Sequence, residues 1–400
     1  MKKLLKRIVL LLYRCMVRIL PIQKNVVILE SNLGRNYIGN PRAIYEEILR
    51  RGLDQKFKCY YIFNDPKKID LPGTGKKVKN SRLRYYYLMA VAGIWICDTR
   101  FQNYMIKRKG VTYIQTWHGT PLKKLALDME RVDMAETTDL EQYRQEFRKN
   151  SATWDYLISQ NPFSTETFRR AFDFHGEILE IGYPRNDILF LKNSQEEILK
   201  LKRKLSLPTD RRIMLYAPTW RDNAYYDKQN YKFATEMNFE QMFQAFGKDS
   251  ILLVKYHYMV QEKIDWSSYQ GFIKEMDAKV DIAELYLVSD LLITDYSSVM
   301  FDYSLLHRPM FFYTYDLDHY KNQLRGFYFD LMKEAPGPVV GDTEELIHCI
   351  QDYFPEEYEQ VSKNFYQTYN PFDDGHAAEK VVDLMVAIDS STYTHTPSDL

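Results

Sequence analysis

A histidine at the end of an apolar segment is the first residue of this chain whose position suggests chemistry. Residues 113–122 read YIQTWHGTPL, so a strand-like run gives way at His118 to a glycine and a Thr-Pro pair. The chain has to turn there, which places the imidazole at the carboxyl end of a strand, where ligands bind in open α/β sheets. An unperturbed imidazole has a pKa of roughly 6.5, so His118 is suited to act as a base near neutral pH.

A second apolar segment ends in the same way. Residues 251–257 read ILLVKYH, which places His257 close to Lys255 at the predicted end of another strand. A lone histidine is more often structural than catalytic, but matching strand ends in the two halves of the chain favour a functional role. They predict two Rossmann-like halves that face a shared cleft.

Two serines occupy a third predicted strand end. Ser297 and Ser298 follow a strand at 290–294 and precede a helical run at 299–306. Free N–H groups at a helix amino terminus favour a phosphate, although Asp295 or a serine would also serve as an ordinary cap. Asp302, one turn further on, is expected to face the cleft and accept hydrogen bonds from ligand hydroxyls.

Further candidates follow two other predicted strands. Residues 182–187 read GYPRND, and the guanidinium of Arg185 offers a planar pair of donors for phosphate oxygens. Residues 216–222 read YAPTWRD, where Thr219 and Trp220 either meet a ligand or, for the tryptophan, fill the hinge between domains. A D-x-D triplet at 316–318 resembles a short metal-binding motif, but a solvated loop is the preferred interpretation.

The elements that would position these residues alternate between strand and helix, which indicates two doubly wound parallel sheets. Strands are predicted at 26–30, 58–63, 94–97, 113–116, 156–159 and 178–181, then at 212–216, 251–256, 291–294 and 310–313. Helices are predicted at 41–51, 80–92, 164–171 and 191–205. The predicted domain limits are a basic amphipathic helix at 1–24, domains at 25–205 and 206–388, and a polar tail at 389–400.

The charge distribution narrows the class of partner. Residues 1–25 carry seven basic residues and no acidic one, which leaves 47 basic and 54 acidic residues in the rest of the chain. A body with that balance is not a general nucleic-acid binder. The four cysteines are scattered, without a C-x-x-C pair, and fit reduced thiols in a cytosolic protein better than disulfides or a zinc site.

The amino-terminal segment is predicted to lie on a membrane surface. Its apolar run at 8–13 is far shorter than the ~20 residues that span a bilayer. On a helical wheel Lys3, Arg7, Arg14 and Arg18 form one stripe and apolar residues cover the rest, a pattern typical of helices that bind anionic membranes. The alternative is an ordinary helix packed on the body of the protein.

Four of these segments together resemble the CDP-glycerol glycerophosphotransferase family, whose members build teichoic acids, the polyol-phosphate polymers of Gram-positive cell surfaces. They read QTWHGTPLKKL at 115–125, GYPRND at 182–187, YAPTWR at 216–221 and TDYSS at 294–298. The match runs in order from about residue 25 to 385. It implies a GT-B-like architecture, a donor nucleotide bound mainly by the second domain, and peripheral attachment to the cytoplasmic face of the cell membrane.

The resemblance also assigns roles to residues. It implies that His118 is the catalytic base and that His257 is a second catalytic histidine, although this chain reads KYHY at 255–258 where K-x-H-P is expected. The donor contacts that it implies are His118, Gly119, Thr120, Pro121, Leu122, Arg185, Thr219, Trp220, Lys255, Tyr256, His257, Ser297, Ser298 and Asp302.

The implied reaction moves glycerol phosphate from CDP-glycerol to a hydroxyl of a polyprenyl-linked acceptor or a growing poly(glycerol phosphate) chain, and releases CMP. No tightly bound metal is expected, although a loosely held Mg²⁺ on the diphosphate is compatible with the motifs. The alternatives are a CDP-ribitol donor, a nucleotide-sugar donor on the same fold, and a non-catalytic membrane-bound assembly partner. The sequence leaves the oligomeric state, the acceptor's sugars and the choice between primase and polymerase open.

Overall fold

The computed structural model describes residues 2–131, 139–219, 225–227, 230–231, 235–256, 264–317 and 326–390. These residues form two parallel α/β sheets with helices packed on their faces. The predicted fold class is therefore confirmed at the level of two parallel-sheet domains.

The first sheet contains seven strands, β1 (Gln23–Glu30), β2 (Lys58–Phe63), β3 (Lys76–Lys79), β4 (Ala92–Cys97), β5 (Thr112–Gln115), β6 (Tyr156–Ser159) and β7 (Glu177–Glu180). Its helices are α1 (Lys2–Ile19), α2 (Gly39–Arg50), α3 (Leu83–Val91), α4 (Leu140–Ser151) and α5 (Pro162–Ala171). All neighbouring strands are parallel, in the order β3-β2-β1-β4-β5-β6-β7. The strand order reverses between β1 and β4, which opens a crevice at their carboxyl ends.

The second half contains β8 (Arg212–Ala217), β9 (Tyr225–Asp227), β10 (Asn230–Tyr231), β11 (Ser250–Val254), β12 (Ile273–Glu275), β13 (Leu291–Thr294), β14 (Met310–Tyr313) and β15 (Val339–Val340). Six of these strands form a parallel sheet in the order β12-β11-β8-β13-β14-β15, while β9 and β10 pair separately. Its helices are α6 (Asp187–Leu191), α7 (Gln195–Lys204), α8 (Phe239–Phe246), α9 (Ile282–Val288), α10 (Val299–Tyr303), α11 (Leu331–Glu334), α12 (Thr343–Gln351), α13 (Pro355–Tyr369) and α14 (Ala377–Ser390). The strand order reverses here between β8 and β13.

Two segments cross between the sheets. Helices α6 and α7 contribute Leu189 and Leu201 to a hydrophobic core that they share with the second sheet. At the other end of the chain, α14 returns to the first sheet, where Val381 and Met385 are fully buried against β1 and β2. Helices α6 and α7 fall inside the predicted limits 25–205 but pack on the second sheet, and α14 falls largely inside 206–388 but packs on the first. The predicted limits follow chain order, whereas the hydrophobic faces do not.

Polar contacts also join the two halves. The carboxylate of Asp281 caps α9 and accepts a hydrogen bond from the backbone N–H of Gly39 at 3.0 Å. The guanidinium of Arg42, on α2, lies 3.5 Å from the same carboxylate and 3.1 Å from that of Glu284. These contacts fix the start of α2 against the start of α9.

Helix α1 packs on the body and also exposes apolar side chains. Tyr13 and Val17 are buried in the first core, whereas Leu11, Leu12 and Ile19 are 61%, 49% and 78% exposed. Within the described ranges, no helix combines the length and the hydropathy that crossing a bilayer requires.

The structure corrects several element predictions. Strands β3, β12 and β15 were not predicted. Helix α5 begins two residues before Ser164, because the side chain of Asn161 accepts a hydrogen bond from the Ser164 N–H at 2.7 Å and caps the helix. Most of the helix predicted at 191–205 is α7, which begins at Gln195 and is capped by Ser194. Leu191 belongs to the preceding helix α6.

Candidate active site

The ring of His118 is held in one tautomer by the main chain. Its Nδ1 lies 2.7 Å from the carbonyl oxygen of Asp98, which follows strand β4. A carbonyl oxygen only accepts hydrogen bonds, so Nδ1 carries the proton and Nε2 keeps its lone pair. The ring also stacks on the indole of Trp117, with centroids 4.4 Å apart. The geometry therefore presents Nε2 as the basic atom.

The environment of His118 keeps the ring neutral. The residue is exposed to the cleft, yet the surrounding protein displaces enough water to lower the pKa of His118 to about 4. The charges of Arg185 and Arg100 act in the same direction, and the hydrogen bond to Asp98 opposes them. A neutral imidazole is the form that accepts a proton from an attacking hydroxyl.

The backbone on both sides of His118 adopts unusual angles. Trp117 has φ of 51° and Gly119 has φ of 147°, both in the region that L-residues with a side chain rarely occupy. The amide of Asn40 stabilises this turn by donating to the carbonyl oxygens of Thr116 and Trp117, at 3.2 and 2.9 Å. Strained backbone that is held by several contacts is a frequent property of functional sites.

Gly119 lies where the two halves of the chain meet. A Cβ atom at this position would stand 3.3 Å from both the Nη2 of Arg185 and the Oγ of Ser298. The strand end that carries His118 is therefore in direct contact with Ser298, one of the predicted phosphate-binding serines of the second sheet. Gly119 and Ser298 are 179 positions apart in the sequence.

Arg185 connects the His118 turn to Asp302. Its Nη1 donates to the carbonyl oxygen of His118 at 2.8 Å, and its Nη2 forms a buried ion pair with the Asp302 carboxylate. The other oxygen of Asp302 accepts a hydrogen bond from the amide of Asn186 at 3.0 Å. Asp302 is 1% exposed, so both carboxylate oxygens are engaged inside the protein.

The ion pair gives both side chains a structural role. The carboxylate of Asp302 neutralises the guanidinium of Arg185, and that guanidinium also donates to the carbonyl oxygen of His118. Burying an ion pair is costly unless hydrogen bonds compensate for the lost water, and both oxygens of Asp302 and both terminal nitrogens of Arg185 have such partners. The predicted contacts of Asp302 and Arg185 with the donor stay predictions. The pair holds the two strand ends together.

The reversal point of the second sheet carries a related contact. The backbone N–H of Thr219, just after β8, donates to the carboxylate of buried Asp295 at 2.8 Å. Ser297 and Ser298 follow directly and are partly exposed before α10 begins. Thr219, Ser297 and Ser298 therefore all follow the carboxyl ends of strands in the second sheet, and Ser298 lies next to Gly119 of the first.

Lys255 stands at the end of β11. Its ammonium donates to the carbonyl oxygens of Asp277 and Val280, at 2.6 and 2.9 Å. Desolvation lowers the pKa of Lys255 to about 8, although the nearby carboxylates of Asp281 and Asp277 oppose this shift. The lysine is therefore charged at neutral pH and close to losing its proton.

The remaining predicted contacts divide into two groups. Thr120, Pro121 and Leu122 are buried, and Thr120 uses its hydroxyl to bind Gln160 at 2.8 Å. These three residues secure the turn, and their predicted contacts with the substrate stay predictions. Tyr256 is partly exposed beside Lys255, whereas Trp220 and His257 lie outside the described residues.

Sequence reasoning missed three residues that position this site. Asp98 supplies the carbonyl that binds His118, Asn40 stabilises the turn, and Asp281 joins α9 to the start of α2. Asp98 follows the apolar run of β4, so the strand-end rule that found His118 would have found it. Asn40 and Asp281 carry no comparable signal, because each acts through a partner distant in the sequence.

A metal site was not expected from the motifs, and the described part of the chain contains no group of three or more His, Cys, Asp or Glu side chains arranged to hold one. In the D-x-D triplet, Asp316 accepts a hydrogen bond from the hydroxyl of Tyr296 at 3.0 Å. Asp318 lies outside the described residues.

The chain is similar to proteins of one enzyme family. Residues 12–387 match the family model described as CDP-Glycerol:Poly(glycerophosphate) glycerophosphotransferase. The teichoic acid poly(glycerol phosphate) polymerase of Bacillus subtilis is 43% identical over 92% of this chain and 49% of its own length. The protein of the same name from Bacillus spizizenii is 41% identical over 96% of this chain and 98% of its own length.

A solved structure has the same fold. The wall teichoic acid polymerase TagF, as a histidine-to-asparagine variant soaked with CDPG, has a TM-score of 0.90 to this chain at 36% identity. The similarity covers 97% of this chain and 95% of that one. The chain spans about half the length of the Bacillus subtilis relative and almost all of the Bacillus spizizenii one. It belongs to the CDP-glycerol:poly(glycerophosphate) glycerophosphotransferase family.

Proposed function

We propose that this protein is a glycerophosphotransferase that moves glycerol phosphate from CDP-glycerol to a hydroxyl of a growing poly(glycerol phosphate) chain and releases CMP. The single observation that carries the proposal is the hydrogen bond from His118 Nδ1 to the Asp98 carbonyl, which leaves Nε2 unprotonated on an exposed residue. Family membership supports the choice of donor.

The proposed reaction is an in-line displacement at phosphorus. The acceptor hydroxyl oxygen attacks the phosphorus that carries glycerol, while its proton passes to Nε2 of His118. The bond from that phosphorus to the bridging oxygen breaks, and CMP leaves with the electron pair. Catalysis of phosphoryl transfer depends mostly on positioning and on stabilising the developing charge.

The second sheet supplies the donors for the diphosphate in this proposal. Ser298 lies beside Gly119, Ser297 precedes it in the chain, and Lys255 follows β11, a strand of the same sheet. We assign Thr219, Trp220, Tyr256 and His257 to the nucleotide side from the family resemblance. His257 and Trp220 keep this role as predictions that mutation has to test.

The alternatives differ in donor or in turnover. A CDP-ribitol or nucleotide-sugar donor would use the same two-sheet cleft, but the family model and the relatives that match at 41–43% identity are named for glycerol phosphate. A non-catalytic assembly partner would not require His118 in a single basic tautomer. We therefore favour an enzyme with CDP-glycerol as donor.

We further propose that the protein works at the cytoplasmic face of the membrane in a GT-B-like arrangement. The exposed apolar residues of α1, with Arg14 and Arg18 on the same helix, suit an interface with anionic lipids. Such a location would place the cleft beside a polyprenyl-linked acceptor. The two reversed sheets and the returning helix α14 support the GT-B-like interpretation.

Incubation of the purified protein with CDP-glycerol, CDP-ribitol or UDP-sugars, each with a short glycerol phosphate oligomer as acceptor, tests the proposal. We expect CMP and an elongated oligomer with CDP-glycerol alone, in amounts that depend on His118. Release of CMP only from CDP-ribitol, or of UDP, would assign another donor. Binding of nucleotide without any product would identify a non-catalytic protein. Addition of EDTA to the same assay measures any dependence on Mg²⁺.

A further inference from the structure

An open apolar groove lies between helices α1 and α3, away from the strand ends that form the candidate site. Its walls are Leu12, Cys15, Met16, Ile19 and Leu20 on one side and Leu83, Arg84 and Tyr87 on the other. The groove encloses about 470 Å³, which falls within the range of roughly 300–1,000 Å³ that small-molecule clefts occupy. Leu83 and Tyr87 are 61% and 41% exposed, so apolar surface on both helices faces solvent.

The groove is a fixed part of the fold. Tyr13 and Val17 anchor the inner face of α1 in the core, and the rings of Tyr13 and Tyr86 lie 5.7 Å apart between the two helices. The guanidinium of Arg108 donates to the carbonyl oxygens of Leu20 and Ala90, at 2.7 and 3.0 Å. Arg108 thus joins the carboxyl-terminal ends of α1 and α3, where a cation also complements both helix dipoles.

The segments that form the groove are basic in sequence. Residues 6–25 contain five basic and no acidic residues, and residues 82–91, which lead into and form α3, add Arg82 and Arg84, again without an acid. Arg84 lines the groove itself, and its guanidinium lies 5.7 Å from the ring centroid of Tyr60. Apolar walls beside an exposed arginine match a ligand with a hydrocarbon chain and an anionic head group.

We infer that the groove between α1 and α3 binds one hydrocarbon chain of a phosphate-bearing membrane lipid, with the lipid phosphate against Arg84. The inference rests on the proposed membrane location and adds to it a defined lipid site and a second membrane-facing element, α3. Burial of apolar surface is favourable in water. A chain seated between the helices would therefore hold the protein more firmly than charge attraction alone.

Cys15 offers a direct measurement, since it lines the groove and is exposed, while Cys59 and Cys97 are buried. The probe is dodecyl phosphate below its micelle concentration, and the measurement is the rate at which iodoacetamide alkylates Cys15, followed by mass spectrometry. At ten times its dissociation constant the probe should slow alkylation roughly tenfold. Cys349 is partly exposed in α12, on the second sheet, and its rate serves as the internal control.

Changing the head group of the probe tests the phosphate contact with Arg84, and changing its chain length tests the hydrocarbon site. Hexyl phosphate and dodecyltrimethylammonium should both protect Cys15 much less than dodecyl phosphate does. Equal protection by the cationic amphiphile would remove the role assigned to Arg84. Absence of protection by dodecyl phosphate, or the same slowing at Cys349, would overturn the lipid site.

Variants connect the groove to the membrane. Leu83→Gln with Tyr87→Gln should abolish protection and reduce binding to phosphatidylglycerol vesicles, whereas Leu191→Gln, at a leucine that is 65% exposed on α6, should change neither. Unaltered vesicle binding in the groove variant would contradict the inference. CMP release with a soluble acceptor is measured in parallel, because failure of the proposed function would abolish it in the wild type, and failure of the groove would not.

Discussion

The Nδ1 of His118 and the main-chain oxygen of Asp98 lie 2.7 Å apart, and this contact joins two neighbouring strand ends of the first sheet. Because the acceptor is a carbonyl group, side-chain substitution at Asp98 does not remove it directly. The tautomer of His118 is therefore a property of the fold, set by the register of β4 and β5. Loss of the imidazole removes the base without removing the turn that holds it.

We predict that His118→Ala lowers kcat by roughly 10²–10⁴-fold, the usual contribution of a general base. The affinity for CDP-glycerol should change little, because the diphosphate is assigned to the second sheet. Single-turnover kinetics and calorimetric binding to the same preparation measure the two quantities. Near-wild-type kcat in a folded His118→Ala protein would disprove its role as base.

The pH dependence of transfer should show two limbs. The pKa of His118 is lowered to about 4, so the base stays available throughout the neutral range and kcat/KM should fall only below about pH 5. The pKa of Lys255 is lowered to about 8, so its charge, and the activity that it supports, should be lost as the pH rises through that value. Lys255→Arg should move the alkaline limb upward. An acid limb near pH 6.5, or an alkaline limb unaffected by Lys255→Arg, would contradict these assignments.

Gly119→Ala should reduce the rate of glycerol phosphate transfer more than it reduces the stability of the folded protein. The added Cβ would lie 3.3 Å from Arg185 Nη2 and Ser298 Oγ, at a φ of 147° that alanine rarely adopts. We expect at least a tenfold loss of kcat/KM, because a shift of the turn displaces both His118 and the serines. Gly52→Ala provides a matched control, since Gly52 also has positive φ but has no atom within 4 Å of the added Cβ. Equal effects of the two substitutions on kcat/KM would contradict the role assigned to Gly119 in positioning His118 and the serines.

The sequence predicted the two parallel sheets, and the strand ends at which the candidate residues lie, because both depend on local patterns. Short apolar runs defined most strands, and polar residues directly after them identified His118, Thr219, Ser297 and Ser298 at the edges of the sheets. The strands that were missed carry weaker patterns. Lys76–Lys79 is mostly charged, and only its Val78 side chain is buried.

The details of the site depend on contacts that no local pattern encodes. Nothing in the segment around Arg185 shows that its guanidinium is bound by Asp302, 117 residues later. In the same way, the motif that contains His118 does not reveal that Thr120, Pro121 and Leu122 turn away into the protein. Residue type and spacing identify which groups are available, whereas tertiary packing decides which of them face a ligand.

The ion pair between Arg185 and Asp302 should contribute strongly to stability. Asp302→Ala leaves a guanidinium whose side chain is only 14% exposed without its partner, which we expect to cost about 3–5 kcal/mol. Chemical denaturation measures this loss. Glu196→Ala breaks the exposed ion pair with Lys200 and should change the free energy of unfolding far less than Asp302→Ala does. A small effect of Asp302→Ala on stability, with a large effect on the affinity for CDP-glycerol, would show that Asp302 binds the donor rather than stabilises the fold.

Two buried carboxyl groups should make the protein less stable as the pH rises. Glu30 is the last residue of β1, and Asp98 directly follows β4, the neighbouring strand at which the strand order reverses. Burial raises the pKa of Glu30 to about 8 and that of Asp98 to about 7. The charge of Asp98 adds to the shift at Glu30.

The sign follows from proton binding. Both folded-state pKa values lie above the values of the unfolded chain, so the folded protein holds more protons than the unfolded chain between about pH 4.5 and 8, and its stability falls as the pH rises through that window. One proton corresponds to about 1.4 kcal/mol per pH unit. Glu30→Gln removes this ionisation, so its free energy of unfolding should depend less steeply on pH between 5 and 8, and it should exceed that of the wild type at pH 8. Glu166→Gln, at an exposed position, should leave the slope unchanged. Parallel curves for wild type and Glu30→Gln would show that Glu30 ionises normally despite its burial.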